Sequence, residues 1–340
     1  MQIDTQGAIV LARFGRGFRW IWTQEGIARL CEATGWPPKE LASAGPPYTL
    51  ATDLSVNRPE ARIRSDRRNS GLYGLLPGQS VMAVSVHVTD WTRSEDPESA
   101  GPITELELLS ASIIDAFVEL SQAITEAFGS PSESLPGAWP SLRWRFPEAV
   151  MVLRGRSGSV ELGFENPAYV KWLDKDDFLD HDDEEEEGEE DNDDLPAASN
   201  RCVSWEHFSE ELRLTLLRLE CSEHGNSVID VECDDDRYIQ CSYNPRSEDW
   251  LESEGALALR ITLPENPFGD DRYLSRPGCE RSMIEAGWFR LVGDQCTLWS
   301  LQVDWPARYE IFGVVADKAV GALRGYFEFE SPSQLRMKCW

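Results

Sequence analysis

Lysine is almost missing from this 340-residue chain: only five of its 32 basic residues are lysine, and all of them face 60 aspartates and glutamates. The formal net charge of −28 repels nucleic acid and anionic membrane surfaces, so neither is an expected partner. Histidine is scarce too. His87, His181, His207 and His224 are the full set, and none stands in a nucleophile elbow or beside a cysteine in a catalytic pattern. Cysteine is thin and uneven, with Cys31 alone in the first 200 residues and then Cys202, Cys221, Cys233, Cys241, Cys279, Cys296 and Cys339. No CxxC occurs and no Cys/His pair has zinc-finger spacing, which argues against a structural zinc site. Seven cysteines in the second half cannot close a disulfide framework, so reduced, buried thiols are expected. Phosphate-binding glycine loops are missing as well, since Gly15-Arg16-Gly17 is too short to cradle a phosphate. Long apolar runs are absent: no window approaches the ~20 residues of a membrane span. The apolar stretch Ala8 to Ala12 is followed by Arg13, Arg16 and Arg19, the reverse of a secretory leader. Together these absences predict a cytoplasmic non-enzyme with no catalytic, cofactor or metal residues.

What is abundant is acid in one place. Asp174 to Asp194 holds 15 carboxylates and one lysine, which is half of the net charge. Such a run cannot bury apolar surface and its charges repel, so a disordered linker or solvated loop is expected. It divides the chain into an N-terminal domain (1–172), an acidic linker (173–200) and a C-terminal domain (201–340). A length of 340 residues also exceeds the ~250–300 at which single cores stop growing. The run reads as a solubilising spacer, a decoy for a basic partner surface or a weak divalent site. Asp182, Asp183, Glu184, Glu185, Glu186 and Glu187 at its centre are candidate partner contacts. The one dense basic patch is Arg58, Arg62, Arg64, Arg67 and Arg68. It docks the acidic run, faces an acidic partner, or is an ordinary solvated strand face. Glu232, Asp234, Asp235 and Asp236 lack the alternation and closing glutamate of a calcium loop, and read as a charged hairpin turn.

Hydrophobic periodicity fills in both halves. In the first, a helix is expected over about 23–34, ended by Gly35, and a long one over 104–128 with Leu106, Leu109, Ile113, Phe117, Leu120 and Ile124 as its stripe. Strands are expected over 48–54, 61–64, 72–76 and 81–89, followed by a meander over 142–146, 150–154 and 159–164. In the second, helices are expected over 205–221, 279–286 and 308–326, with strands over 227–233, 238–243, 257–263 and 297–303. Ser204 reads as an N-cap. Helices on a mostly antiparallel sheet make each half an α+β domain. Trp36, Trp91, Trp288 and Trp305 sit at the junctions and read as buried anchors.

LCEATGW at 30–36 echoes MIEAGW at 283–288, and VSVHVTDW at 84–91 echoes WSLQVDW at 299–305, with spacings too different for a strict tandem repeat. With its helix at 205, paired strands, Gly-Trp turn, strand into Asp-Trp and closing helix, the second half resembles the actinobacterial TY-Chap domains, which group with YbjN-like and type III secretion chaperone-like folds. The first half, with its TGW turn, VSVHVTDW and LRWRF, is similar to an uncharacterised actinobacterial family found near specialised-secretion or toxin loci. The resemblance implies a chaperone-like scaffold that binds a client protein, and brings no catalytic residues. An immunity-type inhibitor of a basic toxin is the second reading, and an enzyme with an unrecognised site the third.

Overall fold

The computed structural model describes residues 1–39, 48–65, 75–76, 79–91, 111–137, 139–156, 158–182, 204–219, 221–222, 225–226, 229–232, 238–245, 257–264, 279–292 and 297–339. The chain divides into two compact units, Met1–Ser134 with Trp139–Asp191, and Asn192–Trp340 with Leu135–Ala138.

The first unit runs α1 (Thr5–Gly17), α2 (Gln24–Thr34), β1 (Tyr48–Ala51), β2 (Glu60–Ser65), β3 (Val81–His87), α3 (Ala111–Phe128), β4 (Glu133–Leu135), β5 (Ser141–Arg145), β6 (Val150–Gly155), β7 (Val160–Glu165) and α4 (Pro167–Asp182). Its sheet has the order β1-β2-β3-β7-β6-β5-β4, and the expected meander is the run β5, β6, β7, paired antiparallel. Thr23 caps α2 by accepting from the Gly26 N–H, and Gly35 closes it at φ 72°, the helix end that the sequence predicts. Ile113, Phe117, Leu120 and Ile124 of α3 are buried as expected, while 104–110 and most of the strand expected at 72–76 lie outside the described residues.

The helix α1 is an addition to the sequence reading. Asp4 caps it through a 2.7 Å bond from the Gly7 N–H, and Ala8, Leu11, Ala12 and Gly15 form its buried stripe. A side chain at Gly15 would lie 2.0 Å from the Phe164 ring, so glycine lets α1 press directly on β7. Two helices, α1 and α3, therefore pack on the sheet where one was expected.

The helix α4 is the second addition, and it runs through the boundary drawn at residue 172. The first nine residues of the acidic run, Asp174 to Asp182, are helical. The helix is anchored before the acid begins, because Tyr169 and Val170 are buried and Val170 packs on Val150 and Val152. Asp174 then accepts hydrogen bonds from Arg143 and Arg145, at 3.2 Å each, so the first carboxylate of the run is neutralised. Residues 183–203 lie outside the described residues.

The second unit runs α5 (Trp205–Arg218), β8 (Cys221–Ser222), β9 (Gly225–Asn226), β10 (Ile229–Glu232), β11 (Tyr238–Pro245), β12 (Leu257–Pro264), α6 (Cys279–Glu285), β13 (Phe289–Val292), β14 (Thr297–Asp304), α7 (Tyr309–Gly325), a 3-10 turn at Pro332–Gln334 and β15 (Arg336–Cys339). Its main sheet has the order β13-β14-β12-β11-β10-β15, antiparallel throughout. The edge strands β13 and β15 are not in the sequence reading, being only four residues each. Ser204 caps α5 from its side chain to the His207 N–H. Alternation puts Ile239, Cys241 and Tyr243 of β11, and Leu259, Ile261 and Leu263 of β12, against Leu212 and Leu216 of α5 and Val315, Ala319 and Leu323 of α7. Both units are thus helices laid on largely antiparallel sheets, the α+β class expected.

Candidate functional site

In the second unit, α7 is too apolar for one buried stripe. Phe312, Val315, Ala316, Ala319 and Leu323 enter the core, while Val314 on an outer face stays 48% exposed. The neighbouring helix α6 likewise buries Met283 and leaves Ile284 58% exposed. Between them lies a groove of about 680 Å³, lined chiefly by Met283, Ala286, Trp288, Val314, Gly321 and Tyr326. Its local origin is the end of α6. Gly287 at φ 91° reverses the chain, the Trp288 N–H reaches back to the Met283 carbonyl at 3.0 Å, and the indole drops into the core at 2% exposure. Gly321 and Gly325 form the floor on the α7 side, and a side chain added at either would meet nothing within 4 Å. The polar groups are Asp317, Lys318 and Glu328. Asp317 accepts from the Ser209 hydroxyl at 2.7 Å, and Glu328 is the only non-glycine with positive φ among the described residues, at 58°. Such a cavity can take apolar side chains against backbone, with a few charges at its margin.

The basic patch expected from the sequence is split by the structure. Arg58 lies over the Trp91 ring at 3.6 Å, beside Asn57, which exchanges hydrogen bonds with Trp91 at 2.8 and 2.9 Å. Trp91 is accordingly half-buried under a cation and Trp305 is half-buried at the rim of its core, edge-on to Tyr243, while Trp36 and Trp288 are the buried anchors anticipated. Arg62 and Arg64 project from β2, on the sheet face away from α1 and α3, and Arg67 and Arg68 lie outside the described residues. Of the acidic candidates, Asp182 is the last residue of α4, and Asp183 to Glu187 lie outside the described residues. The sheet face also gathers arginines that the sequence reading left apart. Arg143 and Arg145 of β5 are paired with Glu133 and Asp174 at 3.1–3.3 Å, and Arg154 of β6 with Glu165 at 3.2 Å. Burial depresses the Arg143 guanidinium, but Glu133, Glu165 and Asp174 outweigh it and hold the pKa above its ordinary value.

On the same face His87 is 2% exposed. Its Nδ1 lies 2.8 Å from the Ser159 hydroxyl and 3.7 Å from Glu161. Serine, histidine and glutamate are thus together, yet Ser159 is fully buried and shares one ring nitrogen with the acid, so no attacking hydroxyl is presented to substrate. Burial, with the charges of Arg62 and Arg58, lowers the His87 pKa against the opposing pull of Glu161 and Glu60. Among the described residues no group of three or more His, Cys, Asp or Glu could hold a metal ion, and no helix is long and apolar enough to cross a membrane.

Comparison with known families separates the two halves. Residues 198–340 match the family described as T3SS (YopN, CesT) and YbjN peptide-binding chaperone 3. The resemblance read from the Gly-Trp turn, the Asp-Trp strand and the closing helix is thereby borne out. Residues 6–166 match a family of unknown function, DUF6301. No curated protein and no solved structure matches the chain. The TY-Chap3 half contains the whole of the α6/α7 groove. The groove had a faint signal in the sequence, glycines recurring at 321 and 325 inside an otherwise apolar helix, but which face they occupy depends on α6.

Proposed function

We propose that the protein is a non-enzymatic, chaperone-like binder of a client polypeptide, held by the TY-Chap3 half in the groove between α6 and α7. The observation that carries this reading is the open space over Gly321 and Gly325 beside the exposed Val314. Glycine inside a helix costs about 0.5–1 kcal/mol relative to alanine, and Gly321 is not required there by backbone geometry or by packing. An exposed apolar strip at that position is explained by something that covers it. The peptide-binding description of the matched family supports the same assignment.

The reading extends to the rest of the chain. The DUF6301 half and the TY-Chap3 half act as separate folding domains in the cytoplasm, with no cofactor or metal. The acidic residues from Asp182 to Glu187 steer a client with a basic surface during encounter. The test is a surface array of short peptides probed with the full chain. The expected bound sequences are rich in apolar residues, and Gly321→Leu abolishes their capture while the melting temperature holds or rises. Unchanged capture by Gly321→Leu would exclude the groove. Removal of residues 183–194 should slow association at low salt and leave dissociation unchanged, and an unaffected association rate would remove the steering role.

A further inference from the structure

The groove between α6 and α7 holds one charge that its surroundings leave uncommitted. Of its three charged lining groups, Asp317 is directed at α5, where it takes the Ser209 hydroxyl, and Glu328 belongs to the turn beyond α7. The third is Lys318, which makes no hydrogen bond or ion pair among the described residues. Its stem crosses from α7 to the end of α6, where the ammonium stands 3.1 Å from the place that a side chain on Gly287 would take. Glycine at φ 91° leaves that place open. The end of α6 is itself a weak partner. The Ser282, Met283 and Ile284 carbonyls already hold the N–H groups of Ala286, Trp288 and Gly287 at 3.0, 3.0 and 2.9 Å, so only the diffuse field of a seven-residue helix remains for the ammonium.

Other cations about these helices are engaged. Arg281 pairs with Glu285 at 2.9 Å, Arg290 with Glu280 at 3.7 Å and Arg213 with Glu210, while Arg324 lies over the Trp205 ring at 5.5 Å. Lys318 stands instead between apolar walls, Met283 and Trp288 on the α6 side and Val314 and Tyr326 on the α7 side. A segment laid in the groove takes water away from this ammonium. Desolvation of an unpaired charge then opposes binding, whereas a carboxylate at that point turns the same group into an attraction. The groove therefore discriminates among apolar segments.

We propose that Lys318 selects the client: the groove takes an apolar segment of a partner protein that carries one acidic side chain, whose carboxylate meets the ammonium beside Gly287 while its apolar neighbours lie over Gly321 and Gly325. This rests on the assignment of the groove as the client site. Spacing supports the arrangement. Lys318 and Gly321 are three residues apart and Gly321 and Gly325 four, so the three share one face of α7 within about 11 Å along its axis. Asp317, one residue back and so about 100° round the helix, is held toward α5 by Ser209 and does not occupy this point. The chain's net charge of −28 opposes a strongly acidic segment, so a single carboxylate within an apolar stretch is the fit. Such a segment can belong to a client whose surface is otherwise basic.

The experiment is a surface array of leucine-rich peptides, each spotted with glutamate, glutamine or lysine at its centre and titrated with the full chain, with Lys318→Met and with Gly321→Leu. Lys318→Met keeps the aliphatic stem and removes the charge, and an equal melting temperature verifies its fold. The natural chain is expected to hold the glutamate series on the order of tenfold tighter than the glutamine series. Lys318→Met is expected to erase that difference, by weakening capture of the first and strengthening capture of the second. Glutamate and glutamine held alike by the natural chain, a preference that survives in Lys318→Met, or tightest capture of the lysine series overturns the proposal. Each of these outcomes leaves the groove standing as the client site so long as Gly321→Leu releases the peptides. Capture of all three series by Gly321→Leu removes the groove and this inference with it, as does failure of the natural chain to hold any series.

Discussion

At the scale of single residues, environment decides what each aromatic or ionisable group contributes. Trp36 and Trp288 are buried, and replacement of Trp288 by alanine is expected to lower stability in urea denaturation by about 3–5 kcal/mol. Trp91 is a partly exposed platform for Arg58, so Trp91→Ala is expected to lose less, near 1 kcal/mol from the cation contact plus the smaller area buried. Equal losses at the two positions would refute the distinction. His87 gives a pH dependence with a defined sign. Its folded pKa lies below the ordinary 6.5, so the unfolded chain binds more protons in the interval between the two values. The stability it contributes is complete above pH 6.5 and is lost as pH falls towards the folded pKa. Burial sets that shift first, Arg62 and Arg58 add to it, and Glu161 and Glu60 oppose it. Thermal melts from pH 7.5 downwards should decline more steeply for the natural protein than for His87→Gln, and parallel curves would contradict the assignment.

At the scale of elements, α4 and α7 show opposite uses of a helix surface. The acidic α4 is held by a buried turn and one ionic clamp. Asp174→Asn removes a charge-assisted partner from Arg143, which is nearly buried, and from Arg145, which is half exposed and counts for less. The expected loss is about 1–2 kcal/mol, with faster amide exchange across 167–174; unchanged exchange there would mean that Tyr169 and Val170 alone hold the helix. On α7 the prediction runs the other way. Gly321→Ala relieves helix-interior glycine without touching a neighbour, and is expected to stabilise the chain by about 0.5–1 kcal/mol. A destabilised Gly321→Ala would show that this backbone needs glycine for its own fold.

At the scale of the whole molecule, the two units have separate sheets and separate cores, and the proposal that they fold independently has a direct test. Fragments 1–182 and 201–340 are each expected to melt cooperatively, with transitions matching those of the full chain; aggregation of either fragment would defeat it. The division into α+β halves and the second half's likeness to TY-Chap domains were legible beforehand because they rest on local signals: period-2 alternation at 81–89, the 3.6-residue stripes of α3, α5 and α7, and the glycines at 35 and 287 that end helices. The helices α1 and α4 were not, since short or acid-rich segments become helical only when neighbours bury one face: Phe164 for α1, and Val150, Val152 and two arginines for α4. The candidate sites divide in the same way. Arg62 and Arg64 share one face by strand alternation, which the sequence fixes by itself. That Arg154 stands on the same sheet as them is a product of the order β2-β3-β7-β6, a pairing of segments some ninety residues apart. Likewise the glycines of α7 are written in the chain, but only the packing of α6 beside them turns an exposed helix face into a groove.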